Sequence, residues 1–191
     1  MLSDRQEQII DESIKIISER GIQGMTIKNL SKAIGISEPG IYRHFNSKTE
    51  IILGILTRFQ ELAISFSQNV KVQQINSVEK IRFIFSQMIQ TFAENPSTVS
   101  VFFAEEIFNN EAILKNKIIE IGEMHAKTIE QIVIVGQADN IIRKDIDAKS
   151  LTLVLMGSLR FTVKSWDFFD HAFDLKQEGS KIIEVLTKIL K

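Results

Sequence analysis

The sequence predicts an all-α fold, and three observations carry that reading. Apolar residues recur at three- and four-residue intervals, as at Ile10, Ile14 and Ile17 or Ile81, Phe85, Met88 and Phe92. Helix-opening pairs stand ahead of several stripes: Ser3 with Gln6, Ser47 with Glu50, Asn76 with Glu79. Two prolines and nine glycines are all that punctuate 191 residues, so long helices meet few breakers. The pattern resolves into about nine helices with no internal repeat.

In chain order, the first helix opens at Ser3 and runs to about Arg20, with Gly21 as its exit. Ile22–Met25 connects it to a second helix capped by Thr26, whose inward face is Ile27, Leu30 and Ile34. Gly35 ends that helix, because glycine takes the left-handed conformation without a Cβ clash. Ser37 caps the third helix and Pro39 sits in its first turn, where a missing N–H is harmless. Ile41 and Phe45 point back to the core, and Ser31 is small enough for a close helix crossing.

Asn46-Ser47 breaks this third helix, and a fourth runs from Lys48 to about Asn69 with Phe59, Leu62 and Phe66 on one stripe. Val70–Ile75 is a connection. The fifth helix, capped by Asn76, stops before Pro96, since the residue preceding proline is pushed out of the helical region. A short helix follows over Ser97–Asn109, carrying Val99, Phe102, Phe103 and Ile107. The seventh spans about Glu111–Val135, with a stripe of Leu114, Ile118, Ile121, His125, Ile129 and Ile132. Gly136–Asp147 reads as a linker. The Leu151–Val163 helix is apolar on most faces and should be buried on more than one side. Asp174 with Gln177 opens the last helix, which carries Leu175, Ile182, Leu186 and Ile189.

Composition narrows the class. A hydrophobic fraction of 44% and a charged fraction of 25% are ordinary for a globular chain. With no cysteine, disulfides and thiolate metal sites are impossible. No signal peptide opens the chain and no apolar run approaches the ~20 residues a bilayer needs, so no membrane is expected as a partner and the expected location is the cytoplasm. The net charge of −1 is not that of a typical nucleic-acid binder. Between Thr26 and Lys48, however, four basic residues face one acidic residue, a balance of +3 that leaves −4 for the remainder. A solvated helix surface gives the same count, so charge alone does not decide. Twelve of the thirteen phenylalanines lie at Phe59 or beyond, which separates a spare first unit from an aromatic-rich body.

Thr26–Glu50 as a whole has the anatomy of a helix-turn-helix, whose second helix enters a DNA major groove. Thr26-Ile27, the Leu30–Ile36 run, Gly40-Ile41-Tyr42, His44-Phe45 and Lys48 make it resemble the TetR family of transcriptional regulators. The matching stretch is roughly the first quarter of the chain, and Tyr-x-His-Phe-x-x-Lys is its most specific part.

The resemblance implies a homodimeric, ligand-responsive repressor of transcription that binds a near-palindromic double-stranded DNA operator. Residues 1–47 would form the DNA-binding domain and 48–191 the ligand-binding and dimerisation domain. Tyr42, His44 and Lys48 resemble the family's phosphate-contacting residues, and Thr26 and Lys28 would also touch the DNA backbone. Ser37, Pro39, Gly40 and Arg43 fall on the exposed part of the recognition helix. Arg43 suits a guanine edge or a phosphate, and both remain open. Gly40 weakens a helix by ~1 kcal/mol against alanine, which suits close approach of backbone to DNA or simple tolerance by packing.

For the body, Phe59, Phe66, Met88, Phe92, Phe103 and Trp166 are the candidate lining of a ligand cavity, with His125 and Glu106 as candidate polar anchors. Core packing is the competing reading for each. Such a lining favours a small apolar or amphipathic effector, for example a fatty-acyl compound or a lipophilic drug. The last two helices are expected to pair with their symmetry mates through Leu151, Leu155, Leu159, Ile182 and Leu186, with Gly157 and Gly179 allowing close approach.

Catalysis has no positive sign. The histidines His44, His125 and His171 lack metal-ligand spacing, Glu105-Glu106 point in different directions, and no phosphate loop, nucleophile elbow or triad spacing occurs. No cofactor or metal is expected. The competing classes are a small helical enzyme and a helical protein-interaction module using the helix-turn-helix as a docking surface.

Overall fold

The computed structural model describes residues 2–103 and 111–191, which form nine helices and no strand. The expected helix over Ser97–Asn109 is seen as far as Phe102; Glu105, Glu106 and Ile107 lie outside the described residues. By packing, the chain forms two compact units. One joins Met1–Glu61 to Pro96–Glu120, the other Leu62–Asn95 to Ile121–Lys191.

In the first unit, α1 (Asp4–Gly24) opens with a reciprocal box: Ser3 Oγ accepts from the Gln6 N–H at 3.3 Å while Gln6 Oε1 accepts from the Ser3 N–H at 3.0 Å. Gly21, at φ +64°, interrupts the helix where the sequence placed its exit. The buried face is wider than the Ile10–Ile14–Ile17 stripe and adds Ile9, Ser13 and Ile16. The reason is that α1 packs against several neighbours, among them α2 (Ile27–Ile34) and α6 (Pro96–Phe102). Ser13 is tolerated there because its hydroxyl donates to the Ile9 carbonyl at 2.7 Å.

Thr26 Oγ1 caps α2 through the Asn29 N–H at 3.1 Å, and Gly35 closes it at φ +78°. Ser37 then caps α3 (Glu38–Tyr42) through the Gly40 N–H at 3.2 Å. This helix has only five residues, yet Ile41 is fully buried and Phe45, just beyond it, is nearly so. Ser47 accepts from the Glu50 N–H at 3.1 Å to open α4 (Lys48–Lys71); the Glu50 carboxylate reaches back to the Asn46 N–H rather than to Ser47.

The second unit is built around α5 (Ser77–Glu94), the later part of α7 (Ala112–Ala138), α8 (Ala148–Phe168) and α9 (Leu175–Ile189). α9 packs on both α5 and α8. Gly136 lies inside α7, not in a linker: an added Cβ would come within 2.6 Å of Ile142 and 2.7 Å of Ser77. The linker is therefore shorter than expected and is anchored by the Arg143 N–H donating to the Leu190 carbonyl at 2.8 Å. Gly179 does allow a close approach, but to Ile89 of its own chain, 2.8 Å from where a Cβ would stand. Gly157 has open space around it.

Candidate functional site

The helix-turn-helix leaves a polar face outward. Thr26, Lys28, Ser37, Pro39, Tyr42 and Arg43 are exposed, while Gly40, His44 and Lys48 are half-buried. Three cations, Lys28, Lys32 and Arg43, are exposed without an ion-pair partner among the described residues. This is the arrangement that attracts a polyanion, since no carboxylate among the described residues pairs with them. Arg43 caps the C-terminus of α3 with its backbone, so its side chain is carried at the end of the short helix. His44 is held from behind, its carbonyl accepting from Gln6 Nε2 of α1 at 3.1 Å. Gln6 thus both caps α1 and braces the end of α3, a second role that its spacing to Ser3 did not reveal.

Gly40 meets no obstacle within the protein. An added Cβ would lie 3.4 Å from Ser37 Oγ and 3.5 Å from Ile36 Cβ, both ordinary contacts. If a Cβ is excluded here, the excluding surface is not part of this chain.

Lys48, expected to contact a phosphate, also has a partner within the chain. Its Nζ donates to the Ile22 carbonyl at 3.3 Å, and burial lowers its pKa while nearby Glu111 raises it. Glu111 also accepts from Thr49 Oγ1 at 2.7 Å. The positive end of α4 thus has a carboxylate of its own chain beside it. Lys48 acts as a strut between the start of α4 and the end of α1, just past its break at Gly21. Glu111 carried no sequence signal beyond its place at a helix start.

The second candidate site is a cleft among four helices of the second unit. α4 contributes Ala63, Phe66 and Ser67, and α5 contributes Ile84 and Met88. α7 adds His125, Thr128 and Ile129, and α8 adds Met156. Its free space is ≈ 10 Å³, room for about one water. Of the expected lining residues, Phe66, Met88 and His125 are brought together here. His125 is largely buried, and desolvation lowers its pKa.

The other expected lining residues are elsewhere. Phe59 and Phe103 belong to the first unit, each ring edge-on to Phe102, at 5.8 and 5.2 Å between centroids. Trp166 closes the end of α8: its Nε1 donates to the Phe173 carbonyl at 2.9 Å and its ring stacks on His171. Phe92 is half-buried near the end of α5 and is not part of the cleft lining. Glu106 lies outside the described residues.

The expected dimer contacts need a similar correction. Leu151, Leu155, Leu159 and Leu186 are buried in the protomer's own core, and Ile182 is half-buried. The four leucines cannot meet a partner without unpacking that core. The outward apolar face lies on the other side of the same helices, with Leu153 73%, Phe161 75% and Phe168 78% exposed, beside Gly157 on α8 and Val185 on α9.

Comparison with known proteins adds to this geometry. The family model for bacterial regulatory proteins of the tetR family matches residues 9–55, and the model for the C-terminal region of YsiA-like protein matches 57–189. A fatty acid metabolism regulator protein of Bacillus subtilis is 21% identical over 179 residues, covering 94% of this chain and 92% of that protein. A nucleoid occlusion factor SlmA of Glaesserella parasuis is 27% identical over 64% of this chain and 61% of its own length. The crystal structure of the transcriptional regulator FadR from Bacillus subtilis, in complex with stearoyl-CoA, superposes with a TM-score of 0.83 at 20% identity. That match covers 97% of this chain and 99% of that one, and shows a common fold.

Proposed function

The chain belongs to the tetR family of bacterial regulatory proteins, and from that premise we propose that it is a dimeric repressor released from its operator by an apolar or amphipathic effector. It is a DNA-binding transcriptional regulator and not an enzyme. The observation that carries the effector reading is the continuity of α4. The helix begins at Lys48, tied to the end of α1, and runs unbroken to Ala63, Phe66 and Ser67, which line the apolar cleft.

Residues 1–47 read DNA in this account, and 48–191 bind the effector and pair two copies. Lys28 and Arg43 meet a near-palindromic operator, with Thr26, Ser37, Tyr42 and His44 as neutral contacts. The pairing face is the outward one of Leu153, Phe161 and Val185. Among the described residues no helix is long and apolar enough to cross a membrane, and the proposed place of action is the cytoplasm, on DNA.

A fatty-acyl compound is the effector class favoured by the cleft's aliphatic, phenyl and thioether walls and by the names of two of the relatives. The cleft is closed: its ≈ 10 Å³ is far below the ~300 Å³ at which ligand sites begin. An acyl chain therefore binds only a state in which the four helices have parted, and that difference in affinity is what shifts the population. The opened state is the one that leaves the operator.

The test is a gel-shift with DNA flanking the protein's own coding region, repeated with lipophilic and polar compounds. A competitor-resistant band that long-chain compounds dissolve is expected. Release by polar metabolites alone would overturn the effector class, and absence of any specific band would overturn the operator reading.

A further inference from the structure

The cleft is apolar except along one strip. Ser67 on α4 and His125 on α7 both line it, and neither side chain has a partner among the described residues. Thr128, the third polar side chain, donates to the Met124 carbonyl at 3.0 Å and so offers the cleft only lone pairs. A neutral imidazole supplies one N–H donor and one acceptor, and a serine hydroxyl supplies both. Here, then, are unused hydrogen-bonding groups facing hydrocarbon walls.

Among the described residues that line the cleft, none is charged at neutral pH. α4 presents Ala63, Phe66 and Ser67, α5 presents Ile84 and Met88, and α8 presents Met156, none of which titrates. On α7 itself the nearest charges, Glu123 and Lys127, are exposed and pair with each other at 3.7 Å. A carboxylate entering this space would find no cation among the described lining residues, and an unpaired buried charge is strongly disfavoured. An uncharged carbonyl or hydroxyl would find the donors it needs.

We propose that Ser67 and His125 form a subsite for an uncharged polar group of the effector, such as an amide, ester or thioester carbonyl or a hydroxyl, and that the cleft discriminates against a free carboxylate. This rests on the cleft being the effector site. His125 is the specificity-determining residue, and its role gives a pH signature. Burial already opposes its protonation, so its pKa lies below the usual imidazole value. Hydrocarbon in the cleft removes the remaining water and opposes protonation further. Proton and neutral effector therefore compete: affinity is flat at neutral and higher pH and falls as pH drops through the lowered pKa. A carboxylate effector would show the opposite slope, since acidification supplies both a neutral acid and an imidazolium partner.

Isothermal titration of the full-length protein with dodecanamide and with dodecanoate, from pH 5.5 to 8, separates these cases. At pH 8 dodecanamide should bind at least ~10-fold more tightly than dodecanoate, and its affinity should decline on acidification. His125→Leu should lower dodecanamide affinity about fivefold and flatten the pH profile, as expected for one lost hydrogen bond. His125→Gln, uncharged at every pH but still able to donate and accept, should hold affinity within about twofold and also flatten the profile. Dodecanoate binding as tightly as the amide at pH 8, or wild-type affinity in His125→Leu, would overturn the subsite while leaving the cleft as the effector site. Binding of neither probe would overturn the effector site itself, and the subsite with it.

Discussion

The helix-turn-helix and the α8–α9 pair hold helices together by apolar stripes under opposite conditions. α2 and α3 have eight and five residues, too short to persist alone, so each relies on caps and on Leu30, Ile41 and Phe45 inserted into a core led by α1. What remains outward is polar and basic. α8 has 21 residues and carries two apolar faces, one inward through Leu155 and Leu159 and one outward through Leu153 and Phe161. The difference teaches what each surface can bind: the first suits a polyanion, the second suits another apolar surface.

The strongest way to break this comparison is to substitute each face of α8 in turn. Leu155→Ala, in the inward face, should lower folding stability by ~2–5 kcal/mol in urea unfolding. Leu153→Asp with Phe161→Asp should leave folding nearly unchanged but move the sedimenting species from dimer to monomer at micromolar concentration. The loss in association should be at least ~10²-fold. A dimer that survives both charges would remove the outward face from the interface.

The two glycines sharpen the same contrast at lower amplitude. Gly179→Ala drives a Cβ into Ile89 and should lower folding stability by ~1–3 kcal/mol. Gly157→Ala meets nothing in the protomer and should raise it by up to ~1 kcal/mol through helix propensity alone. Equal effects in thermal unfolding would contradict the placement of the two faces.

On the DNA side, Arg43→Ala should weaken operator binding by ~1–3 kcal/mol and relax the preference at one base per half-site if the guanidinium reads an edge. Lys28→Ala should weaken all operators alike and reduce the salt slope by ~1. Lys48→Ala differs from both, because its ammonium holds the Ile22 carbonyl: a loss of thermal stability should accompany any loss of binding. The smallest effect is expected at Gly40→Ala, which should raise folding stability by up to ~1 kcal/mol while lowering operator affinity. Unchanged affinity would show that no DNA surface approaches that backbone.

The first unit was legible because its signals are local. Ser3, Thr26, Ser37 and Ser47 each find a capping partner three residues on, and Gly35 closes α2 by its own backbone angle. Helix order and fold class followed from such pairs and from the stripes between them. Side-chain roles that depend on distant partners did not follow. Lys48 is taken up by Ile22 and Glu111, 26 and 63 positions away, and Trp166 by the turn it closes. For α8, apolar residues on most faces left the inward side undetermined, and the Leu151–Leu155–Leu159 repeat belongs to the core side. Phe66, Met88 and His125 line one cleft, while Phe59 and Phe103, of the same residue type as Phe66, pack with Phe102.

The account's central claim is that one helix links the operator-reading end to an effector cleft, and filling that cleft tests it most directly. Ala63→Leu adds three carbons to a space of ≈ 10 Å³. Operator binding by wild type and by this variant would be followed by fluorescence anisotropy during titration with a long-chain acyl compound. The account predicts that both bind the operator and that only wild type is released. Release of both at the same effector concentration would contradict it.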